Sequence, residues 1–355
     1  MKPMILSNRT YWLLLTVSSV LFCAEAAQAQ LPNAMIGQSV ARDVRDMYGK
    51  GLQFLIKTQK EDGSWPGNQQ GAGVNGLCLM TFLASGEDPN FGLYSTTVRR
   101  AVRNIIKSQN TNTGYYGQSM YHHGFAMLAM AEAYGTVDNR KLWDKSDGKQ
   151  ISIAQSLELA VRCATTSQKK NPRNAWRYSP DDGSADTSVA GAVLVGLLAA
   201  RNAGIAVPDE SIDKAIGYFK KMTADNGQVA YSGGVGGFDE SFARISIGTL
   251  VYALAKQKDL PQYKATLEYL TQRLEGDGGN MGHAYLEYTR YYRAQALFQG
   301  DVESWEKWNK LLIRNLKTAQ NADGSFPGQF GPSVGTSMSL LSLALNFRLL
   351  PIYER

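Results

Sequence analysis

The sequence predicts an all-α protein in which six helical hairpins close into a double ring, an (α/α)6 toroid. The first observation is a pattern found at 50–65, 100–116 and 315–326: a helix that ends near a glutamine, then Gly-x-aromatic or a close variant. The second is an alternation of two kinds of helix along the chain. The third is that one kind recurs every roughly 43 to 63 residues, the period of helical-hairpin repeats.

One kind of helix is amphipathic, and the other is apolar or small on nearly every side. A helix that is apolar all round is buried, whereas one with a polar face lies at the surface. The predicted outer helices cover 41–59, 96–109, 151–168, 209–223, 262–274 and 303–320. The predicted inner helices cover 74–85, 124–134, 187–203, 242–256, 285–299 and 335–347.

Closure of the repeats into a ring competes with an open superhelix. Gly76, Gly191 and Gly248 on inner helices let neighbours approach closely, as a tight inner ring requires. The first and last repeats both carry the full motif rather than a polar cap, which favours closure. The third, fourth and fifth repeats are degenerate in this pattern, so we expect any functional site near them.

The N-terminus has the order of a secretory signal. Lys2 and Arg9 precede an apolar run of about 13 residues, which is too short to span a bilayer comfortably. We expect cleavage after Ala29, a mature domain over 30–355 and a periplasmic or extracellular location; an uncleaved anchor is the alternative. The formal charge falls from +6 to +5 on cleavage, without a basic block, so nucleic acid is not an expected partner. The mature chain keeps two cysteines in apolar helical context, which favours free thiols but leaves one disulfide open.

The segment KGLQFLIKTQKEDGSW at 50–65 resembles the QW repeat of squalene and hopene cyclases, shared more loosely with protein prenyltransferase β subunits. The resemblance extends over the mature chain through the hairpin period. It implies a toroid of the terpenoid cyclase and prenyltransferase superfamily. It also implies that the glutamines tether the next helix and that the aromatic rings stack on them. The structural pairs would be Gln59 with Trp65, Gln109 with Tyr116, and Gln320 with Phe326.

The catalytic motifs of that superfamily are absent. No DxDD cluster occurs, and Asp181-Asp182 with Asp186 misses the DDxxD spacing by one residue. Neither Cys78 nor Cys163 has the Asp-x-Cys context of the prenyltransferase zinc site. The chain therefore resembles an exported member without these motifs, and we predict no metal and no cofactor.

Hairpins that repeat in one sense make the inner helices parallel, so that their N-termini meet at one rim of the ring. Asp186 is the strongest catalytic candidate there, with an N-cap role as the alternative. Capping lowers the pKa of an acid, so a proton donor would need Asp181 or Asp182 close by. The remaining catalytic candidates are His123, Asp239 and Glu240. Their alternatives are an ordinary core histidine and a helix cap with an ion pair to Arg244.

Aromatic residues suggest how a ligand would be bound. Tyr285, Tyr288 and Tyr292 share one helix face, and Trp176 and Tyr178 precede the third inner helix. Their rings would stabilise carbocations in a cyclase, stack on sugar rings in a carbohydrate-active protein, or simply pack the core.

Three functions remain open from the sequence. The first is binding or conversion of an isoprenoid or other lipid, with Asp186 as the acid and a membrane surface as the place of contact. The second is a polysaccharide lyase or glycosidase on the same toroid, and the third is a scaffold that binds a partner without catalysis.

Overall fold

The computed structural model describes residues 42–143, 150–233, 241–275 and 285–353, and within them the chain forms twelve α-helices. The expected signal segment lies outside the described residues. Among the described helices, none is long and apolar enough to cross a membrane. The outer helices are α1 (Arg42–Thr58), α3 (Ser95–Ser108), α5 (Ile153–Lys170), α7 (Asp209–Met222), α9 (Pro261–Thr271) and α11 (Val302–Ala319). The inner helices are α2 (Ala72–Leu83), α4 (Met120–Ala133), α6 (Thr187–Asn202), α8 (Phe242–Leu254), α10 (Leu286–Gly300) and α12 (Pro332–Ala344).

The inner helices form a closed ring. Each of them packs on the next one in chain order, and α12 packs on α2. The outer ring meets at the same seam, where α11 contacts α1. Across this seam Gln320 Nε2 donates to Met47 O at 2.9 Å, and Ser333 Oγ donates to Pro66 O at 2.6 Å. The predicted (α/α)6 toroid is confirmed, and the open superhelix is excluded.

Small residues allow the inner helices to touch. A Cβ on Gly124 of α4 would lie 2.6 Å from the carbonyl of Ala192 in α6, and one on Gly196 would lie 2.7 Å from Gly124 O. These backbones are therefore in direct contact. Both cysteines are buried and free, so the two thiols do not pair.

Helix α10 departs from the expectation of an apolar inner helix. It buries polar and charged side chains on most of its faces: Glu287, Thr289, Arg290, Arg293, Gln295 and Gln299. Arg293 is fully buried, with its guanidinium carbon 4.6 Å from the ring centre of Phe242 and 5.2 Å from that of Trp308. The aromatic faces and the carbonyl oxygen of Arg273 stabilise this charge in place of water.

The repeat glutamines join successive outer helices. Gln109 Nε2 donates to Gly114 O at 2.8 Å, in its own loop, and to Ser156 O at 2.9 Å, in the first turn of α5. Gln59 and Gln320 make the corresponding pairs of bonds. The third repeat, although degenerate in sequence, keeps this contact, because Gln168 donates to Asn174 O and to Ser211 O.

The aromatic residue of the repeat is buried, and where it carries a donor it hydrogen bonds to an outer helix. Trp65 is buried, and its indole N–H donates back to Leu55 O of the preceding outer helix at 2.7 Å. Trp176 repeats this bond to Ala164 O at 2.9 Å. Tyr116 hydrogen bonds instead to the hydroxyl of Ser156 at 2.9 Å, and Phe326 is simply buried.

The C-terminal segment lies at the end of the ring opposite the inner-helix N-termini. A short 3-10 helix, Pro351–Tyr353, contacts α6. Ile352 O accepts a hydrogen bond from Gln299 Nε2 near the C-terminal end of α10. Leu350 and Ile352 are buried there. This segment does not cover the other end of the ring, where the inner helices begin, and we call that end the opening.

Candidate functional site

Asp186 is the N-cap of α6 and lies at the rim where the inner helices begin. Its Oδ1 accepts the backbone N–H of Val189 at 2.8 Å, so the capping role is real. The side chain is fully buried, and Oδ2 has no close hydrogen-bond partner among the described residues. Burial raises the pKa of Asp186 above its usual value of 3.8, against the opposing effects of the Val189 N–H and the Arg177 charge. The carboxyl therefore holds its proton to a higher pH than a solvated aspartate does.

The cause of this pKa shift differs from the one the sequence suggested. Asp181 is exposed and paired with Lys170 at 3.1 Å. Asp182 accepts hydrogen bonds from the backbone N–H and the hydroxyl of Ser184, which lower its own pKa. Neither aspartate raises the pKa of Asp186; loss of solvent does.

Two tyrosines and an arginine stand beside Asp186. The backbone N–H of Asp186 donates to Trp176 O, and that of Thr187 donates to Tyr231 O, so both loops flank the start of α6. The hydroxyls of Tyr178 and Tyr231 lie 2.8 Å apart. The Tyr231 hydroxyl is also near enough to Asp186 to lower the pKa of that carboxyl slightly.

The centre of the ring below the rim is occupied by aromatic side chains. Helices α4 and α10 are opposite members of the inner ring, and the hydroxyls of Tyr121 and Tyr288 meet across it at 3.4 Å. Phe125 and Tyr291 are also in ring contact across it, with centroids 6.2 Å apart. Burial, and to a smaller extent the charge of Asp186, raises the pKa of Tyr121. The acid therefore borders an aromatic interior.

Tyr292 lies on α10 and Tyr285 immediately precedes it, and the two side chains have different environments. Tyr292 is buried and packs edge-on against Tyr288, with centroids 4.8 Å apart. Tyr285 is 49% exposed, stands at the N-cap position of α10 in a left-handed backbone conformation without a capping side-chain hydrogen bond, and lies at a tilt against the ring of Phe330. Tyr178 is 46% exposed on the opposite side of the rim. The opening is thus flanked by two exposed aromatic rings.

His122 and His123 do not form a catalytic pair. His123 points away from the opening: its Nε2 lies 3.0 Å from Ala160 O, and its Nδ1 accepts the N–H of Tyr116. His122 Nδ1 accepts the N–H of Gly73. Burial lowers the pKa of each imidazole to about 4, so both rings are neutral near pH 7. His123 is a packing residue here, in contrast to the catalytic role considered from the sequence.

Other predicted site residues have structural partners or are not described. Trp176 is buried, and its indole is committed to Ala164 O. Arg244 is buried, and its Nε donates to Val229 O at 3.0 Å. Asp239 and Glu240 lie outside the described residues, so their predicted roles remain predictions.

Sequence reasoning missed three residues as members of the site: Arg177, Tyr218 and Tyr231. Tyr231 sits in the fourth repeat near the expected aromatic position, which was a usable signal. Tyr218 is on an outer helix, buried, and its hydroxyl has no partner among the described residues. Only the packing of α7 on α6 brings it near Asp186, whose charge adds to burial in raising the pKa of Tyr218. Within the described part of the chain, no group of His, Cys, Asp or Glu could hold a metal ion.

Comparison with known proteins supports the architecture. No protein-family model and no curated protein matches the chain. Solved structures do match. The fold is that of the (α/α)6 toroids.

Three of these solved structures represent two kinds of enzyme. An inactive variant of the α-1,6-mannanase GH76A of Salegentibacter sp. HEL1_6, in complex with α-1,6-mannotriose, is 11% identical with a TM-score of 0.64, covering 86% of this chain and 99% of that one. The family 76 glycoside hydrolase Bt3792 of Bacteroides thetaiotaomicron is 10% identical with a TM-score of 0.62, covering 86% and 98%. A variant of the type II terpene cyclase MstE of Scytonema, in complex with geranylgeranyl dihydroxybenzoate, is 13% identical with a TM-score of 0.60, covering 87% and 98%. At these identities the likeness extends to the fold alone.

Proposed function

We propose that this chain binds an isoprenoid or a similar unsaturated, apolar molecule at the opening and that Asp186 protonates it. The observation that carries the proposal is the state of the Asp186 carboxyl. It is buried, its pKa is raised, and its Oδ2 has no close partner among the described residues. An acid in that state is suited to give up a proton to a bound molecule rather than to water.

The aromatic interior suits the same chemistry. Proton transfer from Asp186 to one carbon of a C=C bond would leave an aspartate and a carbocation. The negative faces of Tyr121 and Tyr288 would stabilise that cation. Attack by a second double bond would then form a ring, and loss of a proton to the Asp186 carboxylate, directly or through water, would return a neutral product and the acid. The described residues supply the acid and the rings that such a step needs.

Export is part of the proposal. The charged, apolar and small-residue order of residues 1–29 supports delivery to the periplasm or the extracellular space. A ligand of this kind would reach the opening from a membrane surface, since free isoprenoids are poorly soluble in water.

Native mass spectrometry of the mature protein, purified gently from its own host, is the first test. We expect a co-purifying polyprenyl or sterol-like mass. With the extracted molecule as substrate, Asp186→Asn should lower turnover about a hundredfold or more, the loss expected for a missing general acid. Asp182→Asn, which changes a half-buried aspartate in the same loop, is the matched control and should leave turnover unchanged. Full turnover by Asp186→Asn would contradict the acid role.

A glycan is the second candidate ligand, and one observation favours it. Tyr178 and Tyr285 are exposed on opposite sides of the opening, where their rings could stack on sugar rings of a chain lying across it. A panel of polysaccharides assayed for released reducing or unsaturated sugars separates the candidates. Released sugar would favour this function over the isoprenoid one, and a blank panel would count against it.

A further inference from the structure

Arg177 is held at the rim by two aromatic rings. Its guanidinium carbon lies 5.3 Å from the ring centre of Tyr178 and 5.7 Å from that of Tyr231. The hydroxyls of the same two tyrosines are bonded to each other at 2.8 Å, which fixes the rings as a pair. We call Arg177, Tyr178 and Tyr231 the rim clasp. It lies next to Asp186, whose N–H donates to the carbonyl of the residue before Arg177.

The guanidinium of Arg177 has no hydrogen bond or ion pair with another described residue. Two nearby carboxylates have other partners, since Asp181 pairs with Lys170 and Asp182 accepts from Ser184. Asp186 caps α6 through one oxygen, and the charge of Arg177 lowers the pKa of this carboxyl without a direct ion pair. An arginine presents five N–H donors in a planar fork that matches a carboxylate or a phosphate. The cation–π contacts leave the in-plane donors of the fork available.

The surroundings also favour an anion. The backbone N–H groups at the starts of the inner helices give this rim a positive potential. In the tyrosine pair one hydroxyl donates to the other, so a second O–H hydrogen remains for a third group. Tyr178 is close to half exposed and Arg177 is partly exposed, so a ligand has access to the clasp.

We propose that the rim clasp binds the anionic head, a carboxylate or a phosphate, of an amphiphile. The apolar part of that molecule would point toward the opening and the aromatic interior below it. This inference rests on the proposed function and narrows its ligand class. Arg177 would hold the head by paired N–H donors, while Tyr178 or Tyr231 would contribute one hydroxyl. Asp186 would then face the apolar part of the same molecule.

Binding of three chain-matched probes to the mature protein tests the proposal: farnesol, farnesoate and farnesyl monophosphate. We expect at least one anionic probe to bind roughly tenfold more tightly than farnesol, as charge-assisted hydrogen bonds predict. Arg177→Gln should abolish that preference and leave farnesol binding intact. Arg177→Lys keeps the positive charge but loses the planar pair of N–H donors, so it should retain part of the preference for the anionic probe. The probe preferred by the wild-type protein identifies the head group as carboxylate or phosphate.

Arg173→Gln is the matched control. It removes the same charge from an exposed side chain of the same loop, so the anion preference should survive. Circular dichroism of each variant shows whether it is folded. Equal binding of farnesol and both anions would overturn the clasp while leaving the proposed function standing. An anion preference that persists in Arg177→Gln would also overturn it. Failure of all three probes to bind would contradict the clasp and the isoprenoid function together.

Discussion

At the scale of the residue, Asp186 combines two roles that oppose each other. As the N-cap of α6 it accepts the Val189 N–H, and this bond lowers its pKa. Burial raises the pKa and is the larger effect. The outcome depends on how completely the neighbouring loops exclude water, because desolvation acts on the charged form alone.

The raised pKa predicts how stability changes with pH. In the folded state Asp186 binds its proton more tightly than in the unfolded state, so its contribution to the free energy of unfolding is lost as pH rises from 3.8 through the raised value. Asp186→Asn removes this pH-dependent loss of stability, and asparagine is itself a good N-cap residue. The stability of the variant relative to the wild type should therefore increase with pH over that range, as urea unfolding at several pH values would show.

Asp182→Asn provides a control of opposite sign. Its carboxylate accepts hydrogen bonds from Ser184, which lower the pKa of Asp182. The contribution of Asp182 to the free energy of unfolding is therefore lost as pH falls. The stability of this variant relative to the wild type should decrease with rising pH. A flat difference for Asp186→Asn would mean that its carboxyl is not desolvated.

At the scale of the element, the loop after each outer helix is shaped by close contact with the next outer helix. Gly114 has a φ of +78°, and a Cβ there would lie 2.0 Å from Leu159 O of α5. Gly63, Gly227 and Gly324 are in the same situation against α3, α9 and α1. In the third repeat Asn174 takes the left-handed conformation instead. The Gly of the repeat is therefore required by backbone contact as well as by turn geometry.

Gly114→Ala should destabilise the protein by about 3 kcal/mol or more, since a strained conformation and a backbone clash combine. Gly183→Ala is the control, because its φ is not positive and a Cβ there would meet nothing within 4 Å. That change should stay within about 0.5 kcal/mol, as for ordinary surface sites. Denaturant unfolding of both variants measures the difference. Similar effects at the two positions would contradict the role of the Leu159 contact.

At the scale of the whole molecule, closure makes the first and last repeats neighbours. Helix α12 packs on α10 as well as on α1 and α2, so it completes both the ring and the seam. An open solenoid would lose little beyond one repeat when shortened, because each unit depends mainly on its neighbours. A closed ring instead loses the burial of helices on both sides of the gap.

Ending the chain at Ala319 removes α12 and tests this difference. We expect loss of the sharp thermal transition and binding of a hydrophobic dye, since the apolar faces of α2 and α10 become exposed. The intact mature chain, which should unfold in a single transition, is the control. A truncated chain that keeps a sharp transition near the midpoint of the full chain would mean that the repeats are stable without closure.

The sequence by itself determined the architecture. Helical periodicity, the alternation of apolar and amphipathic helices, and the Gln and Gly positions of the repeat all follow local rules, so they predicted the twelve helices and the closed ring. It also placed Asp186 just before an inner helix and gave the N-cap role as the alternative to a catalytic one, because capping depends on a few consecutive residues.

Tertiary structure decided the remainder, because the site depends on contacts between residues distant in the chain. Whether Asp186 is desolvated depends on loops more than forty residues apart, at 176–178 and 229–231. The meeting of Tyr121 with Tyr288, and the orientation of His123 toward α5, depend on how each inner helix is rotated in the ring. Helix α10 was predicted as an apolar inner helix but buries charges, because aromatic neighbours and backbone carbonyls compensate them. Such compensation exists only once the ring has formed.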